Sequence, residues 1–166
     1  MKTYKQLISE SEGSAKTSRN FLPGGFKKVH WQKGTSNFDI GGGKYEKGTD
    51  FLAKKGVTNL VYDPYNRSNE HNDMTWEAGE EATTATIFNV LNVVPSRNKR
   101  IKLMRQAKRG NIKTVYITAY KKDGDSIGRK TRDGWQNNMP LEEYLPDVQS
   151  VFGNGYIKDS MIIANV

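Results

Sequence analysis

Two carboxylates set around a run of glycines are the residues of this chain best placed to do chemistry. Asp39 is followed by Ile40 and the triplet Gly41-Gly42-Gly43, and Asp63 stands roughly 20 residues past the glycines. Glycines at the end of a strand let the backbone come close to a ligand, and a carboxylate at that distance suits the two hydroxyls of a ribose. A glycine triplet by itself also marks loops that are only flexible. The strand context and the paired acids make Asp39, Gly41, Gly42, Gly43 and Asp63 a nucleotide-site candidate.

Charge narrows the ligand. A dinucleotide pyrophosphate calls for G-x-G-x-x-G and a helix N-terminus free of competing negative charge. Gly41 and Gly43 fit that spacing, but Glu46 takes the third position and Asp39 precedes the turn. Both acids oppose a pyrophosphate. They suit an adenosine that carries a cationic ammonium and sulfonium at its other end, which is the layout of S-adenosylmethionine. Tyr120, at the close of a later strand, could reach the mouth of such a site. Trp135 and Gln136, in a loop that also carries Arg129, Lys130 and Arg132, could stack and read a base, as aromatics beside arginines do on single strands. The competing reading of Trp135 is a loop anchor on the sheet.

The elements that must position these residues follow from pattern. A strand is predicted over Ser36–Ile40, a helix over Gly48–Lys55 stopping at Gly56, and a strand over Asn59–Asp63. Residues 64–72 are too polar for a core and read as a loop, with a short helix over Met74–Glu81. Ala85–Val93 is apolar and β-branched enough for a central parallel strand. Pro95 and Ser96 open a helix to about Arg109, whose Ile101, Met104 and Ala107 face the sheet. Lys113–Tyr120 is the next strand and residues 121–136 a charged glycine-rich loop. A helix starting at Pro140 runs through Val151, and Met161–Asn165 closes the sheet. Such alternation predicts an α/β fold, a mostly parallel sheet with helices on both faces. Residues 1–35 read as a basic N-terminal arm with a short helix, and Ser18–Pro23 is expected to pack over the cofactor mouth; residues 36–166 form the Rossmann-like binding domain.

Composition sets the bounds. The 166 residues suit one domain. There is no cysteine, and His30 and His71 are too few and too far apart for a zinc site, so no metal is expected. No apolar run is long enough to span a membrane, and the first residues lack the apolar centre of a signal peptide, so a cytoplasmic protein is expected. The net charge of +8 favours a polyanionic partner, DNA or RNA most simply, although dispersed lysines also serve solubility.

With these residues in hand, the chain resembles the class I S-adenosylmethionine-dependent methyltransferases. More narrowly, it is similar to the methyltransferase-like domain of proteins associated with DNA phosphorothioation genes. The segments that carry the resemblance are FDIGGGKYEKGTDFLAKKG with VYDPYNRS, then VLNVV at Val90–Val94, then GWQNNMPLEEYL at Gly134–Leu145. It implies a Rossmann-like methyltransferase fold, here reduced in size. It implies that Asp39, Gly41 and Gly43 line the methionine end of the cofactor and that Asp63 holds the ribose. Pro64 or Tyr65 would flank the adenine, and Asn89 and Asn92 would face the methyl group or the cofactor's amino acid. Asn92-Val93-Val94-Pro95 occupies the place where amino-methylating nucleic-acid enzymes carry Asn/Asp-Pro-Pro-aromatic, so Asn92 is a catalytic candidate; a buried asparagine tying two loops together is the alternative. The chain departs from the family in the residues Lys44–Lys47 that lengthen the glycine turn, and in a compressed or missing strand between Asp63 and Ala85. The expected function is methyl transfer to a nucleic acid or nucleotide. The alternatives are a binding module without turnover and an enzyme that consumes S-adenosylmethionine without transferring its methyl group.

Overall fold

The computed structural model describes residues 18–121, 124, 128–132 and 134–166. The predicted helix near the chain start lies outside the described residues. The elements run α1 (Gly25–Lys28), β1 (Ser36–Ile40), α2 (Lys47–Ala53), β2 (Thr58–Tyr62), α3 (Asn69–Ala78), β3 (Thr84–Phe88), α4 (Arg97–Arg105), β4 (Thr114–Thr118), β5 (Arg129–Thr131), β6 (Gly134–Gln136), α5 (Leu145–Phe152), β7 (Tyr156–Lys158) and β8 (Met161–Asn165). Among the described residues, six strands form one sheet in the order β2-β1-β3-β4-β8-β7, and β5 and β6 form a separate hairpin. β1 pairs parallel with β2 and β3, and β3 pairs parallel with β4, whereas β8 runs antiparallel to β4 and to β7. The chain leaves β1 toward β2 and returns to β3 on the other side of β1. That reversal opens a crevice at the carboxyl ends of β1 and β3, the place where open α/β sheets bind ligands.

Side chains alternate between the two faces with the period of two that a pleated strand imposes. Phe38, Ile40, Ala85, Ile87, Val115, Ile117 and Ile162 point to one face and pack with Leu103, Met104, Val148 and Phe152 of α4 and α5, a single apolar core. The opposite face differs from end to end. Under α1 and α2 a smaller cluster gathers Phe26, Leu52, Phe88 and Met161. Toward β2 that face is polar and buried, with Asn37 and Thr86 at 0% exposure and Asp39 at 3%.

Several predicted boundaries move. β3 stops at Phe88 rather than Val93 because Asn89 adopts a left-handed backbone (φ 58), and a 3-10 turn over Leu91–Val93 follows. The predicted loop over residues 64–72 is shorter, since Ser68 caps α3 by accepting from the His71 backbone N–H at 3.1 Å. α4 ends at Arg105, not Arg109. The predicted loop over residues 121–136 contains the β5–β6 hairpin, and β7 is an additional strand. No strand lies between Tyr62 and Thr84, so α3 connects β2 directly to β3 and leaves β2 at the end of the sheet. There His71 Nε2–H donates to the Val61 carbonyl at 2.8 Å and Asn72 Oδ1 accepts from the Asp63 N–H at 2.9 Å.

Candidate functional site

The crevice holds an open cleft of about 220 Å³. Its floor is the turn after β1. Gly41 and Gly43 take left-handed backbones (φ 75 and 80), which only glycine adopts without strain. A Cβ on Gly42 would lie 2.5 Å from Asp39 Oδ2 and 2.9 Å from Val61 Cγ1, so the middle glycine admits the carboxylate beneath it. Asp39 Oδ1 accepts from the Thr86 hydroxyl at 2.8 Å, and Oδ2 accepts from Asn59 Nδ2 at 3.1 Å. Burial pushes its pKa from 3.8 up to about 6; those two hydrogen bonds and the Arg67 charge oppose the rise, and the neighbouring Asp63 adds to it. The carboxylate therefore stays mostly ionised at neutral pH. Among the described residues its oxygens each keep one unused acceptor direction.

Asp63 lines the same cleft but is bonded differently. Oδ1 accepts from the backbone N–H groups of Tyr65 at 3.0 Å and Asn66 at 3.1 Å. Oδ2 accepts from the Gly43 N–H at 2.8 Å and from Asn66 Nδ2 at 3.0 Å. Four donors fill the acceptor capacity of a carboxylate. Asp63 thus ties the glycine turn to the turn after β2, and a ribose diol would have to replace the Asn66 amide to reach it. Arg67 strengthens the same junction, donating from Nε to the Gly43 carbonyl at 2.9 Å and pairing through Nη1 with Glu46. This corrects the charge argument made for Glu46: its carboxylate is held low in pKa by Arg67 and does not stand unopposed at the start of α2. Sequence reasoning assigned no role to Asn59, Asn66, Arg67 or Thr86. The signal for Asn59 and Thr86 was a polar residue on the buried face of an otherwise apolar strand.

The opposite wall comes from the end of β3 and from the hairpin. Asn89, Asn92, Tyr120 and Gln136 line it, and Tyr65 lines the β2 side; Pro64 does not line the cleft. Asn92 is 3% exposed and donates from Nδ2 to Gln136 Oε1 at 3.2 Å, while its buried Oδ1 has no partner among the described residues. It ties two loops together, as the structural reading of this asparagine expects. Gln136 Nε2 donates to the Tyr120 carbonyl at 3.1 Å, which fastens β6 to the cleft rim. Trp135 lies outside the cleft. Its indole N–H donates to Asn137 Oδ1 at 2.7 Å, and a Cβ on Gly128 would meet its ring at 2.4 Å, the geometry of a loop anchor. Arg129, Lys130 and Arg132 are exposed on the hairpin. From the other direction Ser18, Arg19, Phe21 and Pro23 border the cleft, and Ser18 Oγ accepts from the Lys44 N–H at 3.0 Å. No helix among the described residues is long and apolar enough to cross a membrane.

No family model matches the chain, and no curated protein matches it. Among solved structures it is similar to one described as a SAM-dependent methyltransferase from Methanosarcina mazei. That likeness has a TM-score of 0.58 at 12% identity and covers 89% of this chain and 98% of the other. At that identity it shows the fold: a Rossmann-like, mostly parallel α/β sheet of the methyltransferase kind.

Proposed function

We propose that the protein binds S-adenosylmethionine in this cleft and transfers its methyl group to a nucleic acid or nucleotide. One observation carries the reading. Asp39 is a carboxylate buried beneath a glycine turn at the switch point of the sheet, accepting one hydrogen bond at each oxygen from the described residues, with acceptor directions left over for a cationic group. The fold it shares with a SAM-dependent methyltransferase supports the choice of ligand. In this arrangement Gly41–Gly43 pass close to the amino-acid end, Asp39 holds the ammonium, and Tyr65 borders the adenosine. A cleft of about 220 Å³ is below the ~300 Å³ common for ligand sites, so entry moves Asn66 or the Ser18–Pro23 segment aside. The cofactor supplies the electrophilic methyl group, and the protein supplies alignment. Asn92 and Tyr120 border the path by which the acceptor reaches the methyl group.

The acceptor's class is argued from charge. The net charge is +8, and the exposed Arg129, Lys130 and Arg132 sit on a hairpin that Gln136 fastens to the cleft. A second reading is a binding module without turnover. The saturation of Asp63 by its own chain favours it, because a ribose seat already filled from within weakens the cofactor's hold.

The test is calorimetry with S-adenosylmethionine on the parent and on Asp39→Asn, followed by transfer of a labelled methyl group to DNA and RNA. Binding lost in the variant, with label incorporated by the parent, is the expected result. Binding without incorporation selects the module, and no binding by the parent refutes the cofactor reading. Asp39→Asn is preferable to Asp63→Ala, since removing Asp63 dismantles the turn itself.

A further inference from the structure

Behind Asp39 a row of polar side chains crosses three strands on the buried face of the sheet. The Thr84 hydroxyl donates to Asn37 Oδ1 at 2.9 Å. Asn37 Nδ2 donates to Asn59 Oδ1 at 2.9 Å and to Thr86 Oγ1 at 2.9 Å. Thr86 and Asn59 then donate to the two oxygens of Asp39. The directions cannot be permuted freely. A threonine has one hydroxyl proton, so Thr86, which spends it on Asp39, must accept from Asn37. Asn37, with both amide protons committed, must accept at its oxygen, and Thr84 supplies that bond. The row's donors lead toward the carboxylate, and Asn59 Nδ2 has a second, longer contact to Thr49 Oγ1 at 3.5 Å.

Stability alone does not call for this arrangement. Satisfied polar groups inside a core are commonly replaced by apolar residues of similar shape at little cost. On the same face, the next position of β3 toward its end is apolar Phe88. What a polar row provides and a valine row does not is an anion fixed in place.

We infer that Thr84, Asn37, Asn59 and Thr86 form a positioning array for Asp39, keeping its carboxylate anionic and in one orientation so that the cleft selects a ligand presenting a cationic nitrogen there. Asn37 is wholly buried and does not line the cleft, so it acts only through Asn59 and Thr86. The inference rests on the reading of Asp39 as a ligand seat. Other groups also face that carboxylate. Asp63 at the end of β2 repels it and Arg67 before α3 attracts it; Lys47 of α2 and Arg19 of the entering segment line the same cleft. The array must therefore be tested against that fixed background.

The test needs no ligand. Carbon-13 carboxyl NMR titration of Asp39 is run on the parent, Asn37→Val, Thr86→Val and Thr86→Ser. The two valine variants are expected to raise the midpoint by about one pH unit or more, and serine, which keeps the hydroxyl, to restore it. Midpoints in Asn37→Val and Thr86→Val that match the parent overturn the array. Should Asn37→Val fail to fold, the Thr86→Val and Thr86→Ser pair, differing in one hydroxyl and one methyl, decides it. A second arm measures binding of S-adenosylmethionine and of 5′-methylthioadenosine, which lacks the ammonium and sulfonium, against pH. Only the cationic ligand should lose affinity on acidification, and at higher pH in Asn37→Val. Failure of both ligands to bind refutes the cofactor proposal while the NMR arm still reports on the array.

Discussion

Replacing Asp63 with alanine tests whether the two turns that build the cleft are held together by one side chain. The substitution removes the acceptor for four hydrogen bonds: the N–H groups of Gly43, Tyr65 and Asn66, and the Asn66 amide. Hydrogen bonds to a charged group contribute roughly 1.5–3 kcal/mol each, and a buried donor left unpaired costs about 1–3 kcal/mol. These terms do not add. Tyr65 and Asn66 are half-buried, so water can reach their donors, whereas the Gly43 N–H faces inward. A loss of about 3–4 kcal/mol follows, and for a domain of this size each kcal/mol lowers Tm by about 2–4 °C. Circular-dichroism melting without ligand should then show Tm down by about 10 °C. Asp63→Asn should fall between the two, since it keeps one oxygen but turns an amide donor or a weaker acceptor toward Gly43. A Tm for Asp63→Ala within about 2 °C of the parent would refute the reasoning and return Asp63 to a ligand-binding role alone.

Asp39→Asn should make the stability difference from the parent depend on pH. The folded protein holds the Asp39 proton up to about pH 6 against 3.8 for the ordinary group, so ionising it costs stability as pH rises between those values. The full penalty, on the order of 3 kcal/mol, is present above the folded pKa and absent below the ordinary one. The amide set against Thr86 or Asn59 carries a pH-independent cost, so the Tm difference, variant minus parent, should be more positive at about pH 7.5 than near pH 4, as pH-dependent melting will show; a difference independent of pH counts against it. Gly42→Ala places a methyl 2.5 Å from Asp39 Oδ2 and should weaken S-adenosylmethionine binding at least tenfold by calorimetry, with about 1–3 kcal/mol lost from folding. Charge reversal of Arg129 and Arg132 should lower affinity for single-stranded nucleic acid and flatten its dependence on salt, measured by fluorescence anisotropy at several ionic strengths.

How much of this was legible in the sequence depended on whether neighbours in space were also neighbours in the pattern. The β1–glycine–α2–β2 unit was readable because two apolar strands, a glycine turn and Gly56 follow local rules. The end of β3 was not, because Val90, Leu91 and Val93 look like strand residues and only the left-handed Asn89 breaks the run. The β5–β6 hairpin escaped because Arg129–Thr131 is exposed throughout and carries no alternation. α3 starts earlier than composition suggests because Ser68-Asn69-Glu70-His71 is polar, and its start is marked by the Ser68 cap rather than by apolar pattern. In the site, Asp39 and Asp63 were identified as a pair bordering one cleft, and they do border it. Their difference was invisible: a sequence records two aspartates, while the hydrogen bonds leave one with spare acceptor directions and fill the other.

The direct passage from β2 through α3 to β3 bears on more than size. A sheet that stops at β2 exposes a row of backbone groups on which a foreign strand could add itself, and such margins invite association. In this chain His71 and Asn72, projecting from α3, take up the Val61 carbonyl and the Asp63 N–H. Two side chains of α3 thus cover part of that margin. At this end of the sheet, resistance to edge-to-edge growth rests on how one short helix seats on β2.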